Sequence, residues 1–207
     1  MLIFRSIMTS VITGDIINSQ EKPPEQWLEA LKTVLNTFGP SPKTWEIYRG
    51  DSFQVEIAPK NALHACILIK AHIKQFDELD VRLAIGIGDK TYHAEKITEA
   101  NGSAFVYSGE CFENLKKTTL ALKSPFDTFD AAMNLMLELA LLTMDHWTSN
   151  SATLVKTALE HPDFNQNQIA ALLGKTQGNI SQGLKRAGFD EISKLIQYFN
   201  NQIERLC

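Results

Sequence analysis

The stretch SVITGDIIN (10–18) limits the possible folds more than any other part of the chain. It is rich in Val, Ile and Thr and apolar on both faces, the mark of a central strand with neighbours on each side. The segments that follow supply those neighbours. In PPEQWLEALKTVLNTF, residues Trp27, Leu28, Leu31, Val34, Leu35 and Phe38 recur at helical spacing, with prolines at the start and Gly39 just past the end. TWEIY and SFQVEI read as two strands joined by a turn at Arg49-Gly50-Asp51-Ser52, with Phe53, Val55 and Ile57 alternating against Gln54 and Glu56. KNALHACILIKAHIKQF reads as a second helix. VRLAIGIG then sets Val81, Leu83, Ile85 and Ile87 against Arg82, Ala84, Gly86 and Gly88. Strand, helix, strand, strand, helix, strand is the ferredoxin-like βαββαβ layout, which predicts an α+β fold with an antiparallel sheet and helices on one face.

Beyond this core, YHAEKITEANGSAFVYSGECFENLKK reads as a polar, glycine-containing loop leading into a short helix, and TLALKS as an added strand. FDTFDAAMNLMLELALLTMDHW is a strong helix, with Phe126, Phe129, Met133, Met136 and Leu137 among its candidates for burial; its methionine-rich side reads as core or as a dimer surface. TSNS (148–151) is the one plausible linker, which divides the chain into a first domain, 1–147, and a small all-α domain, 148–207.

Four helices are expected in the second domain. SATLVKTALEH stops at Pro162, NQNQIAALLG ends on Gly174, QGNISQGLKRAG ends on Gly188, and DEISKLIQYFNNQIERL closes the chain. The two middle ones, meeting at Leu173-Gly174-Lys175-Thr176, predict a helix-turn-helix. Ile169, Leu173, Ile180 and Leu184 pack the inside of the corner, Ala170 is small where the helices cross, and Gly174 permits a left-handed turn. The second helix then presents Gln177, Asn179, Ser181, Gln182, Lys185 and Arg186. Amides and hydroxyls of this kind read base edges, and Lys and Arg meet phosphates. Between Gly174 and Gly188 the only charges are Lys175, Lys185 and Arg186, although the segment 148–207 as a whole carries six bases against five acids. The basic character is local, so a homodimer reading two half-sites is the expected form.

Composition excludes several classes. With 207 residues, 44% of them hydrophobic, the chain can bury a core without staples, and a net charge of −4 rules out a broadly basic coat. Cys66, Cys111 and Cys207 form no CxxC pair and read as reduced thiols. MLIFRSIM lacks a cleavage signature, and AAMNLMLELALLTM is too short to span a bilayer, so a cytoplasmic protein with no membrane partner is expected. Met8 opens the recognisable strand, so Met1 and Met8 both stand as candidate starts, and residues 1–7 read as a dispensable extension if the second is used. The histidines at 64, 72, 93, 146 and 161 show no ligand spacing, Cys111 has no basic neighbour in sequence, and Gly86 and Gly88 fit close helix packing rather than a phosphate loop.

Asp15 lies in the first strand and Asp51 at the hairpin of the next two, so a βαββαβ sheet brings the two carboxylates to one edge. Such a pair suits Mg²⁺ or Mn²⁺, with a substrate's phosphates completing the shell.

GDIINSQ, RGDSF and VRLAIGIGD together resemble the catalytic core of class III nucleotide cyclases and GGDEF-type diguanylate cyclases, over about residues 9 to 125. The resemblance implies metal ligation by Asp15 and Asp51 with help from the backbone carbonyl of Ile16. It also implies nucleotide contacts at Arg49 and Gly50, and at Asn101 and Gly102 in the segment that completes such a site. Three departures stand beside it. Ile47 occupies the place of a purine-selecting lysine, and the helix at Ser108-Gly109-Glu110-Cys111-Phe112 has neither the Asn nor the Arg of the family. Over its whole length, through ITGDIINSQ, YRGDSFQVEI, RLAIGIG, ANGSAFVYSGE and QGNISQGLKRAGFDEI, the chain resembles the SatD family of bacterial proteins. The expectation is a DNA-binding transcriptional regulator whose cyclase-like domain takes a nucleotide and Mg. The competing class is a nucleotidyl cyclase or related phosphoryl-transfer enzyme with a helical accessory domain.

Overall fold

A computed structural model describes residues 8–207; the extension at 1–7 lies outside the described residues. The central strand β1 (Thr9–Ile17) is paired on both sides, as its two apolar faces require. It runs antiparallel to β3 (Ser52–Ile57) on one side and to β4 (Asp80–Gly88) on the other. Outside β3 lies β2 (Trp45–Tyr48), and outside β4 lies β5 (Leu120–Lys123), giving the order β2-β3-β1-β4-β5. The added strand at TLALKS is therefore present, and it changes the character of the sheet. β5 runs parallel to β4 because a whole helix, α3 (Ser103–Glu113), crosses between them, so the sheet is mixed rather than antiparallel throughout.

Strand alternation sorts the two faces. Ile12, Ile16, Phe53, Val55, Leu83 and Ile85 form one core with α1 (Pro24–Asn36) and α2 (Ala62–Ile73). The opposite face carries Val11, Ala84, Gly86 and Gly88, and α3 lies on it, which corrects the expectation of helices on one face only. The reason is the run of small residues at 84, 86 and 88. A Cβ at Gly86 would stand 2.1 Å from the carbonyl oxygen of Ala104 and 2.3 Å from the amide nitrogen of Ser108, so only glycine lets α3 approach at backbone distance. Thr13 Oγ1 donates to Ser108 Oγ at 3.1 Å across this contact.

After β5, α4 (Asp127–Met144) buries Phe129, Met133, Leu137, Leu141 and Met144. Its Asn134 closes the outer edge of β5: Oδ1 accepts from the amide of Leu122 and Nδ2 donates to its carbonyl, both at 2.9 Å. Leu135, Leu139 and Leu142 on the same helix face solvent, 59, 61 and 70% exposed.

Thr148 caps α5 (Ser149–Glu160), its Oγ1 accepting from the amide of Ser151 at 3.2 Å. TSNS is thus a helix cap and first turn rather than a free linker. Val155 of α5 and Ile192, Ile196, Phe199 and Ile203 of α8 (Phe189–Leu206) belong to the same apolar cluster as the sheet, so the core runs without a break across residue 148. Trp147 Nε1 donates to the carbonyl of Ala187 at 2.9 Å and ties the two halves. Enclosed in this way, α2 is buried at every residue except His64. On the outside of α5, α6 (Gln166–Leu173) and α7 (Gln177–Arg186) share a small cluster of their own with Leu154 and Ala158. Among the described residues, no helix is long and apolar enough to cross a membrane.

Candidate functional sites

The sheet register sets Asp15 opposite Ser52 on one side and Arg82 on the other. Both neighbours bond to it. Ser52 Oγ donates to Asp15 Oδ1 at 2.9 Å, and Arg82 Nη2 donates to Oδ2 at 2.8 Å. The Arg82 guanidinium also lies over the ring of Phe112, 5.2 Å from its centre, which holds its plane in place. Ile16 is buried, and its amide donates to the backbone carbonyl of Asp51 at 3.3 Å, locking the hairpin tip to the end of β1.

Asp51 itself turns toward the segment after β1: Ser19 Oγ donates to Asp51 Oδ2 at 2.6 Å. The hairpin tip forms because Arg49 and Gly50 both adopt positive φ, 54° and 92°. For an arginine that conformation is disfavoured by about 1–2 kcal/mol, whereas glycine adopts it freely. Between the tip and the start of α1 opens a cleft of about 460 Å³, lined by Ser19, Lys22, Trp27, Arg49, Gly50 and Asp51 among others. Tyr48, at the end of β2, is pushed above the usual phenol range by burial; Arg49 pulls it down and Asp15 pushes it up. It therefore remains a neutral hydrogen-bonding group beside the site.

These contacts bear on metal ligation. Two carboxylates suffice for Mg²⁺ only when phosphates and waters fill the remaining positions. Here Asp15 is already neutralised by Arg82, so a cation can use it only after that ion pair opens. Among the described residues, no three His, Cys, Asp or Glu side chains come together as a metal cluster.

Asn101 and Gly102 are not near this cleft. Gly102 packs against Asp89 and Lys90, just past β4, where a Cβ would stand 2.1 Å from the carbonyl oxygen of Asp89. Arg82 and Asp89 are seven residues apart along the chain, about 23 Å at strand rise, so this loop sits at the far end of the sheet from Asp15. Asn101 has a structural task there: its Oδ1 accepts from the amide of Gly102 at 2.7 Å, and its carbonyl accepts from Thr91 and Tyr92. The two residues are corrected out of the nucleotide set that Arg49 and Gly50 belong to.

The second candidate surface is the α6–α7 corner. Asn165 and Gln168 form a reciprocal capping box at the start of α6. Gly174 ends α6 at φ 64° and ψ 32°, the left-handed turn its sequence position predicts, and Thr176 caps α7. Ile169, Ala170, Ile180 and Leu184 are buried in the corner, and Leu173 is half-buried. Gln177, Asn179, Gln182, Lys185 and Arg186 are exposed on α7, with Ser181 half-buried beside them. Gln177 Nε2 donates to Gln166 Oε1 at 2.7 Å, and Lys175 Nζ donates to Asn150 Oδ1 at 2.9 Å.

Sequence reasoning missed several residues that shape these surfaces. Arg82 was legible only as the outward member of an alternating strand; its pairing with Asp15 depends on the register of β1 and β4. Ser19 and Ser52 carry no motif. Gly183 lies one turn after Ile180, where a Cβ would stand 2.2 Å from Leu154 Cδ1, and so it sets how closely α7 lies on α5. Cys111 is buried and its thiol is pushed up to about 11 by burial, reinforced by Asp130 and opposed by Lys123, which removes it as a nucleophile. No protein-family model and no curated protein sequence matches the chain.

Proposed function

We propose that the chain is a DNA-binding transcriptional regulator of the SatD type, with α6 and α7 as a helix-turn-helix and the βαββαβ portion as a ferredoxin-like, cyclase-related domain. The observation that carries this reading is the corner itself. Its inner side is apolar and packed on α5, its turn glycine is left-handed, and the outer side of α7 presents amides and two bases with no acid. The exposed face of α7 carries no apolar side chain, which favours a nucleic acid over an apolar protein partner. Gln177, Asn179 and Gln182 are suited to base edges, with Lys185 and Arg186 in the last turn suited to phosphates.

Selection from a random DNA pool tests the reading, since enrichment of one sequence class is expected. Lys185→Ala/Arg186→Ala should weaken binding to all sequences alike and lower the salt slope by about two units of log K per log salt for each site bound. A pool without enrichment, unaffected by that double substitution, sinks the regulator reading.

The cleft beside Asp51 supports a second element, a nucleotide held by its phosphates. Lys22 and Arg49 supply positive charge there, and Asp51 is the carboxylate best placed to share a Mg²⁺ or Mn²⁺ ion with those phosphates. Bound metal would supply charge neutralisation for the phosphates. Arg82 favours the enzyme alternative to this extent: a guanidinium next to Asp15 is the kind of group that stabilises charge in phosphoryl transfer. Incubation with ATP or GTP and Mn²⁺, with Asp51→Ala as control, separates the two. Cyclic product or released pyrophosphate supports an enzyme, and nucleotide binding without turnover supports a sensor.

A further inference from the structure

We propose that two copies of this chain associate through α4, antiparallel and about a two-fold axis passing near Leu139. The helix is apolar on both sides. Its inner side is packed into the core, while Leu135, Leu139 and Leu142 lie directly opposite, 59 to 70% exposed. A helix that is hydrophobic all round belongs in an interior, and the described residues enclose only half of this one. The outer residues Ala132, Leu135, Leu139 and Leu142 step by three, four and three, the spacing of a helix seam.

That stripe is self-complementary, which points to a second copy rather than an unrelated partner. Antiparallel pairing about Leu139 sets Leu139 against Leu139, Leu135 against Leu142, and Ala132 against His146. It also carries His146, exposed in the turn just past one α4, toward Asp127, exposed in the first turn of the other. Opposite helix ends then lie side by side, an arrangement that suits the helix dipoles. Between Ala131 and Met144 the only charged residue is Glu138, so little desolvation opposes the contact.

Area makes the same case and shows how far the contact extends. An 18-residue helix is ~27 Å long and ~10–12 Å wide, a strip on the order of 300 Å². A stable interface takes about 800 Å² from each partner. The remainder is at hand in the cleft between α4 and α8, about 580 Å³, with Ala132, Tyr198 and Leu206 on its walls. Ala132 belongs to both stripe and cleft, and Tyr198 is 40% exposed beside it, so the apolar surface is continuous.

Sedimentation equilibrium of the full chain, without DNA or nucleotide, tests the proposal independently of any function assigned above. A dimer of twice 23.2 kDa is expected, and Leu139→Glu should abolish it while leaving the far-ultraviolet dichroism unchanged. Mild oxidation of Leu139→Cys in a Cys207→Ser background should give a disulfide-linked dimer, whereas Ala131→Cys in the same background should not. A wild-type monomer at every concentration overturns the proposal, as does a dimer that survives Leu139→Glu. Cross-linking at position 131 but not at 139 overturns the antiparallel geometry.

Discussion

Lys70 Nζ lies 2.7 Å from Asp80 Oδ1, and the lysine is 1% exposed in the last turn of α2. The same ammonium is 2.7 Å from Asp145 Oδ1 and donates to Thr119 Oγ1 at 3.2 Å. Lys74 Nζ completes the group, bonding to Asp80 Oδ2 at 3.0 Å and to the carbonyl of Asp145 at 2.8 Å. One buried cation thus joins α2, the start of β4, the turn before β5 and the end of α4. Lys70→Ala should destabilise the protein by about 3–5 kcal/mol, because it leaves two carboxylates facing each other without their shared counter-charge. Urea denaturation measures this. A loss below about 1 kcal/mol would mean that Lys74 alone neutralises both acids.

Acid should loosen the joint between α2 and α5. His72 Nε2 lies 2.8 Å from Glu160 Oε1, yet burial holds the imidazole below its ordinary 6.5, and the pull of Glu160 upward does not cancel that. His64, on the same helix, is lowered by burial as well. Below about pH 6.5 the unfolded chain therefore binds these protons more readily than the folded one, and unfolding gains. Their contribution is whole above that pH and declines as pH falls toward the depressed folded values. Thermal melts from pH 7.5 to 5 should show a falling Tm, and the fall should be shallower in His72→Gln.

Two glycine substitutions should differ in kind. A Cβ at Gly183 meets the end of the flexible Leu154 side chain, so Gly183→Ala should cost about 1–3 kcal/mol, offset in part by rotation of that leucine. A Cβ at Gly86 meets the backbone of α3, which cannot rotate away, so Gly86→Ala should cost more. Equal losses in chemical denaturation would contradict this account of α3.

Thiol chemistry offers a quick check of burial. Cys66 is fully buried and its thiol is raised well above the ordinary range by burial, while Cys111 sits near 11. Cys207 is exposed. At neutral pH a disulfide reagent should titrate one of the three cysteines rapidly, and all three only after denaturation.

Removal of Arg82 should change metal binding in a particular direction. With the guanidinium present, Asp15 is occupied; in Arg82→Ala its carboxylate is left for a cation to share with Asp51. Mn²⁺ titration followed by electron paramagnetic resonance should show tighter binding in Arg82→Ala than in the wild-type chain, and weaker binding in Asp51→Asn. Identical titrations in all three proteins would dissociate these carboxylates from any metal.

Periodicity carried much of the architecture. The alternation in 52–57 and 81–88, the helical spacing in 24–36 and the punctuating glycines at 174 and 188 placed elements to within one or two residues, since each reflects one local rule. The second face of the sheet was less visible. Ala84, Gly86 and Gly88 announce that something approaches closely, but whether that is α3 depends on a crossover that no short window contains. The sites divide in the same way. Asp15, Asp51 and the α6–α7 surface follow from local patterns, whereas Arg82 meets Asp15 through strand register, sixty-seven residues away. Asn101 and Gly102 were misplaced because a family pattern was carried onto a loop that lies at the opposite end of these strands. Lys70 was invisible for another reason: a lysine among apolar helix residues gives no hint of the two acids that allow it to be buried.

The pairing of Asn134 with the Leu122 peptide has a consequence for how this protein can assemble at all. An open strand edge is a template on which further strands grow, and here an amide side chain imitates the missing strand. On the other border, β2 is only four residues long, and the chain passing beside it is fastened by the Ile97 amide on the Pro42 carbonyl and by Thr98 on Glu46. Neither border recruits more sheet. Among the described residues, growth into fibres by strand addition is thus obstructed at both borders, which leaves the helical faces as the surfaces open to association.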